Sequence, residues 1–189
     1  YPATGYYGKA DGSFYGTGKD ASYPTYTIES YGMLIYAIRS DDDKVYIGDY
    51  AGNIYEVQLS DGQFANQRTI VSASEENASL VSVPAVSPTT LYVISNDKYI
   101  TAINRKDGST TWRYLLKGNV GESSPVICRD KVIVCTKTGV ITILDAEQGE
   151  LLWEYDTGEQ IISSPAVVSD RFYILTAKGT LFCFGENKK

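Results

Sequence analysis

The sequence predicts an all-β chain of repeated four-stranded antiparallel units, and three observations carry that expectation. Four segments align along the 189 residues: KVYIGDYAGNIYEVQLSDG from Lys44, TLYVISNDKYITAINRKDG from Thr90, KVIVCTKTGVITILDAEQG from Lys131 and RFYILTAKGTLFCFG from Arg171. Their second residues, Val45, Leu91, Val132 and Phe172, recur at intervals of 46, 41 and 40, a period typical of repeat architectures. Other landmarks keep the same phase. Pro84, Pro125 and Pro165 each stand seven residues before that position, Gly62, Gly108 and Gly149 close the first three segments, and Trp112 and Trp153 follow their glycine by four. The third observation is composition: sixteen Tyr among many Val, Ile and Thr favour extended backbone.

Within a repeat every run reads as a strand. A Ser-Pro-Ala-Val-like run comes first (SVPAV, SSPVI, SSPAV), followed by a polar turn such as Arg129-Asp130 or Ser169-Asp170. A second run follows (KVIVCT), then a turn closed by Gly52, Gly139 or Gly179, where a positive φ suits glycine. Lys98 stands in that place in the second repeat, which predicts a different turn there. The third run (VITILD) leads to the glycine turn, and the fourth run is WRYLL from Trp112 or WEY from Trp153. Runs such as VIVC, ITIL and LFCF do not alternate polar with apolar. A strand with one wet face alternates, whereas a sheet stacked between two neighbours is apolar on both faces. The fold class that follows is a β-propeller of four-stranded antiparallel blades, about four in this chain.

The repeats fall at about 31–70, 80–116, 122–157 and 162–185. The fourth stops after its third run. Residues 1–30, rich in Gly and Tyr, read as an irregular arm. Within it, PTYTI at 24–28 has the phase of a fourth strand and is expected to close the ring by completing the last blade.

Composition narrows the chemistry. The net charge of −6 disfavours nucleic acid and anionic membrane surfaces as partners. There is no histidine, so the commonest general base and metal ligand is missing, and with it any Ser-His-Asp constellation. No apolar run approaches the ~20 residues of a membrane span. Cys128, Cys135 and Cys183 sit in or beside apolar runs without CxxC spacing and read as buried thiols. Asp41-Asp42-Asp43 reads as a solvated turn, because its spacing lacks the alternation of a calcium loop.

AINRKDGSTTW, from Ala102 to Trp112, and ILDAEQGELLW, from Ile143 to Trp153, resemble the tryptophan-docking repeat of quinoprotein-type (PQQ-like) propellers, A-x-D-x-x-x-G-x-x-x-W. The resemblance extends over about residues 31–185. It implies that Trp112 and Trp153 fill the gap between neighbouring blades, with Gly108, Gly149 and Asp145 shaping the receiving turns. The first repeat departs from the pattern, with Gln58 in place of Asp and Asn66 in place of Trp.

The quinone-dependent dehydrogenases of that family use PQQ, calcium and, in many, a vicinal cysteine pair that is missing here. The favoured reading is therefore a non-enzymatic scaffold without cofactor that binds a protein or glycan partner. The alternatives are a fragment or half-ring of a quinone-dependent alcohol or sugar dehydrogenase, and a recognition or sensor module of a larger surface protein. Two copies completing one larger ring is a further expectation. The resemblance and the non-Met first residue imply an extracytoplasmic location. The expected binding surface is the loop face formed by fourth-to-first and second-to-third strand connections, carrying Asp49, Tyr50, Asn96, Lys98, Glu122, Lys137, Glu159 and Lys178.

Overall fold

A computed structural model describes residues 5–8, 13–17, 26–27, 34–39, 43–49, 51–60, 63–71, 79–121 and 123–185. Side chains are described from residue 43 onward, except those of 59 and 63–65. Among the described residues every regular element is a strand. The first three, β1 (Gly5–Gly8), β2 (Ser13–Thr17) and β3 (Tyr26–Thr27), form one sheet. Next come β4 (Leu34–Arg39), β5 (Lys44–Asp49), β6 (Ile54–Ser60) and β7 (Gln63–Val71). The third sheet holds β8 (Ala85–Val86), β9 (Thr90–Ile94), β10 (Tyr99–Asn104) and β11 (Thr110–Leu115). The fourth holds β12 (Val126–Cys128), β13 (Lys131–Cys135), β14 (Val140–Asp145) and β15 (Leu151–Asp156). The last contains β16 (Ala166–Val168), β17 (Arg171–Leu175) and β18 (Leu181–Gly185).

Each sheet is an antiparallel meander in which sequence neighbours pair, as short polar turns between strands require. First strands lie side by side from sheet to sheet: β12 neighbours both β8 and β16, and β1 neighbours β4. This is the blade arrangement of a β-propeller. The core lies between blades. Tyr46 and Ile54 of one sheet pack on Leu91, Val93 and Ile103 of the next. Tyr92, Ile94 and Ile100 pack on Val132, Val134 and Leu144. Ile133, Cys135 and Ile141 pack on Ile174, with Phe172, Phe182 and Phe184 around it.

The structure corrects three expectations. Residues 5–8, 13–17 and 26–27 pair with one another in a sheet of their own instead of forming an irregular arm. The anticipated closing strand at 24–28 contributes Tyr26–Thr27, which pairs with β2. Among the described residues the last sheet has three strands. A strand of suitable phase can complete only one sheet, and the nearer hairpin partner in sequence takes it.

The third correction concerns Lys98. It adopts φ 72, beside 97, 107 and 84 at Gly52, Gly139 and Gly179. Its amide donates to Ser95 O just as those of Gly52, Gly139 and Gly179 donate to Asp49, Thr136 and Thr176. The four turns are one type, and the hairpin imposes a left-handed conformation that a Cβ disfavours. Lys98→Gly should therefore stabilise the protein by about 0.5–1 kcal/mol, read as a higher urea midpoint with unchanged slope.

Candidate binding surface

The turns between the second and third strands of the four repeats share one construction. A side chain at the end of the second strand caps the turn from within. Asp49, fully buried, accepts from Asn53 N (2.9 Å), Asn53 Nδ2 (2.7 Å) and the Tyr55 hydroxyl (2.9 Å). Thr136 Oγ1 accepts from Val140 N (3.1 Å) and Thr176 Oγ1 from Thr180 N (3.2 Å). In the second repeat Asp97 Oδ1 does this work, accepting from Ser95 Oγ (2.6 Å) and Tyr99 N (3.3 Å). Incoming loops then clamp the turns by backbone bonds: Asn96 N to Ser79 O, Lys137 N to Asn119 O, and Ala177 N to Gln160 O.

The turn residues are thus held on a rigid frame, and the outward ones are polar. Asn96, Lys98, Lys137 and Lys178 are exposed. Glu159 is half-buried; its carboxylate accepts from Thr176 Oγ1 (2.6 Å) and faces Lys178 Nζ at 3.8 Å. The Thr176 and Thr180 hydroxyls lead the effects that hold this carboxyl below its usual range. Asp49 does not belong to the exposed set, because its carboxylate serves the interior of its turn. Tyr50 and Glu122 lie outside the described residues. One exposed lysine from each of three successive blades therefore marks this face.

The wedges between blades lie away from these turns. Trp112 lies over Gly149, and its indole N–H donates to Ala146 O at 3.1 Å. A Cβ on Gly149, at φ 72, would sit 2.5 Å from the indole, so glycine is required there. Asp145 shapes the same turn by accepting from Glu147 N (2.9 Å) and Gln148 N (2.7 Å). Tyr92 reaches the same carbonyl through its hydroxyl at 3.0 Å. Gly108, at φ 75, faces Ile70 O of the preceding blade. Trp153 is 36% exposed. It stacks with Tyr155 and meets Phe172 and Phe184 edge-on, beside a gap of about 390 Å³. Its indole N–H has no acceptor among the described residues.

The first wedge is ionic. Trp112 pairs across its hairpin with Ala102; at the matching place in the first repeat Glu56 pairs with Arg68. Arg68, not Asn66, therefore holds the tryptophan position, because strand register places it there: the hairpin runs from 56 to 68 in the first repeat and from 102 to 112 in the second, two residues fewer. Arg68 Nη2 donates to Arg105 O at 2.9 Å, the carbonyl that corresponds to Ala146 O. It also reaches both Glu56 oxygens at 3.1 Å. Tyr46 donates to Glu56 at 2.8 Å. The buried Arg105 guanidinium donates to Tyr46 Oη (2.7 Å), Ser87 O (2.7 Å) and Pro88 O (2.8 Å). Burial raises the Glu56 pKa, but the Tyr46 hydroxyl, Arg68 and Lys44 outweigh it and hold the carboxyl below its usual range. Burial and Glu56 keep the Tyr46 phenol protonated beyond its ordinary range.

Comparison with known proteins places these features. A family profile described as outer membrane protein assembly factor BamB matches residues 96–185. Over those residues the chain is similar to PQQ-like repeats. The chain is 26% identical over 164 residues to the BamB of Yersinia pestis, across 79% of this chain and 40% of that protein. The fold overlays on BamB from Moraxella catarrhalis with a TM-score of 0.74 at 20% identity, over 94% of this chain and 53% of that one. It also overlays on the computationally designed Ika8 protein with a TM-score of 0.71 at 13% identity, over 95% and 54%. The chain thus spans about half, or less, of the length of these three proteins.

The cysteines within these repeats are not uniformly buried, contrary to the sequence reading. Cys135 is buried, with its thiol pushed up to about 12 by burial, Cys128 is half-buried and Cys183 is exposed. Their apolar neighbours do not reveal which blade face is covered. Among the described residues no three His, Cys, Asp or Glu side chains gather to hold a metal ion.

Two measurements check the wedges. Trp112→Ala should cost about 2–3 kcal/mol, less than a fully buried indole because Trp112 is half-buried, read by urea denaturation. Glu56 has a depressed pKa in the folded state, so its contribution is present above its unfolded value and is lost as pH falls through the folded one. Glu56→Gln should flatten the decline in melting temperature below pH ~4.5 and lower stability at neutral pH.

Proposed function

We propose that this chain is a non-enzymatic binding scaffold for a protein partner, acting outside the cytoplasm in outer membrane protein assembly. The single observation that carries the reading is the basic row of Lys98, Lys137 and Lys178, displayed by three successive blades on a chain of net charge −6. Backbone clamps fix these turns, so the row is preorganised and little ordering entropy is lost on binding. A basic row on an acidic protein selects a partner with a complementary acidic strip and steers its approach. The names of the relatives, assembly factors of outer membrane proteins, support a protein partner over a glycan. They also favour a scaffold over a cofactor-dependent dehydrogenase.

The test is capture from a detergent-solubilised outer-membrane fraction by immobilised chain, with bound proteins identified by mass spectrometry. The wild type should retain a component of outer membrane protein assembly, and capture should weaken as salt rises. A variant carrying Lys98→Glu, Lys137→Glu and Lys178→Glu should retain at least tenfold less. Equal capture by the variant would overturn the surface, and retention of no assembly component would overturn the function.

A further inference from the structure

One aligned position distinguishes the wedges from one another. The third residue of the second strand is Tyr46 in β5, Tyr92 in β9 and Tyr173 in β17, but Ile133 in β13. Tyr46 and Tyr92 each put a phenol ring into the wedge ahead of them. The Tyr46 ring lies under the Arg105 guanidinium at 4.9 Å. The Tyr92 ring lies 5.8 Å from the Trp112 indole, tilted by 43°. An isoleucine side chain ends two carbons past Cβ, so Ile133 does not reach the space that a phenol takes.

The wedge in front of Ile133 holds the gap of about 390 Å³. Ile133 and Trp153 line it at the places that Tyr92 and Trp112 hold one wedge earlier. Ile143, Phe172 and Phe184 complete its apolar wall. Its charged lining is mostly cationic: Arg129, Lys131 and Arg171 against the single carboxylate of Asp170. Lys131 Nζ is paired with Asp130 at 2.9 Å, and both arginines are exposed. The filled wedge shows which way a ring would point. The Tyr92 hydroxyl comes out by Ser87 and Thr90, whose counterparts Cys128 and Lys131 line the gap. The polar end of a ring seated in the same way therefore meets the cationic side.

We propose that this gap binds a small aromatic carboxylate. Its ring takes the place of the missing phenol, against Trp153 and Phe184, and its carboxylate meets Arg129 and Arg171. Aromatic walls receive a ring by edge and offset contacts, and guanidinium groups bind a carboxylate through charge-assisted hydrogen bonds. The volume lies within the range of small-molecule sites, which combine apolar walls with a few polar groups that fix orientation. The site is separate from the lysine row, and neither reading depends on the other.

Titration of the purified chain with 4-hydroxyphenylacetate, followed by calorimetry, tests the site. Binding should saturate at one ligand per chain, with Kd on the order of 0.1 mM for so small a ligand. The neutral 4-hydroxyphenylacetamide should bind about tenfold more weakly, because it forms no charge-assisted bond. Ile133→Tyr supplies from within the ring that the matching strands carry, and should abolish binding while the circular dichroism stays that of the wild type. Arg129→Ala with Arg171→Ala changes only exposed side chains, so it decides the matter even if Ile133→Tyr fails to fold. It should weaken the carboxylate about tenfold and leave the amide unchanged. Absence of saturation in the wild type would overturn the proposal. So would undiminished binding by folded Ile133→Tyr, undiminished carboxylate binding by the arginine variant, or equal affinity for acid and amide.

Discussion

A β-sheet that is apolar on both sides cannot be stable alone in water; it needs another sheet against each face. That constraint organises this chain. Hydrogen bonds within a blade satisfy the backbone, yet the side chains of β5, β9, β13 and β17 complete their apolar packing against a neighbouring blade. Stability is therefore a property of adjacent pairs, as in other repeat architectures. The hydrophobic term accrues one interface at a time along the row.

Blades that radiate from a common axis diverge toward the rim, and close packing does not tolerate the resulting wedge. The chain fills that space in two chemically different ways. Between the third and fourth sheets a planar indole covers a glycine and hands its N–H to a turn carbonyl. Between the second and third sheets a guanidinium donates to the corresponding carbonyl and is neutralised by Glu56. Both fix the rim, and a fixed rim holds the capped turns that carry the lysine row in a constant spatial relation.

Much of this was legible in the sequence, because it rests on periodicity. The phase shared by Pro84, Pro125 and Pro165 and the glycines four residues before Trp112 and Trp153 disclose blades and wedges without coordinates. What stayed hidden depends on register or on burial. Simple counting put Asn66 at the tryptophan position, whereas hairpin pairing puts Arg68 there. Asp49 looks like a surface turn residue until its neighbours Asn53 and Tyr55 fold over it. Lys98 was expected to change its turn, but the hairpin overrode the residue preference. Cys183, in an apolar run like the other thiols, is exposed because exposure is decided by the next sheet and not by its own strand.

The ionic wedge also bears on how a chain of look-alike units avoids shuffling its order. Sheets with interchangeable faces can exchange neighbours while folding, a hazard of tandem arrays. Glu56 and Arg68 pair within the second sheet, but Arg68 reaches Arg105 O and the buried Arg105 guanidinium reaches Tyr46 only when the second sheet meets the third. Set against an aromatic wedge, Arg105 would lose that partner, and a buried charge short of partners is strongly penalised. One seam is thereby made unlike the rest, and from it the sequence of sheets can be counted off in a single direction.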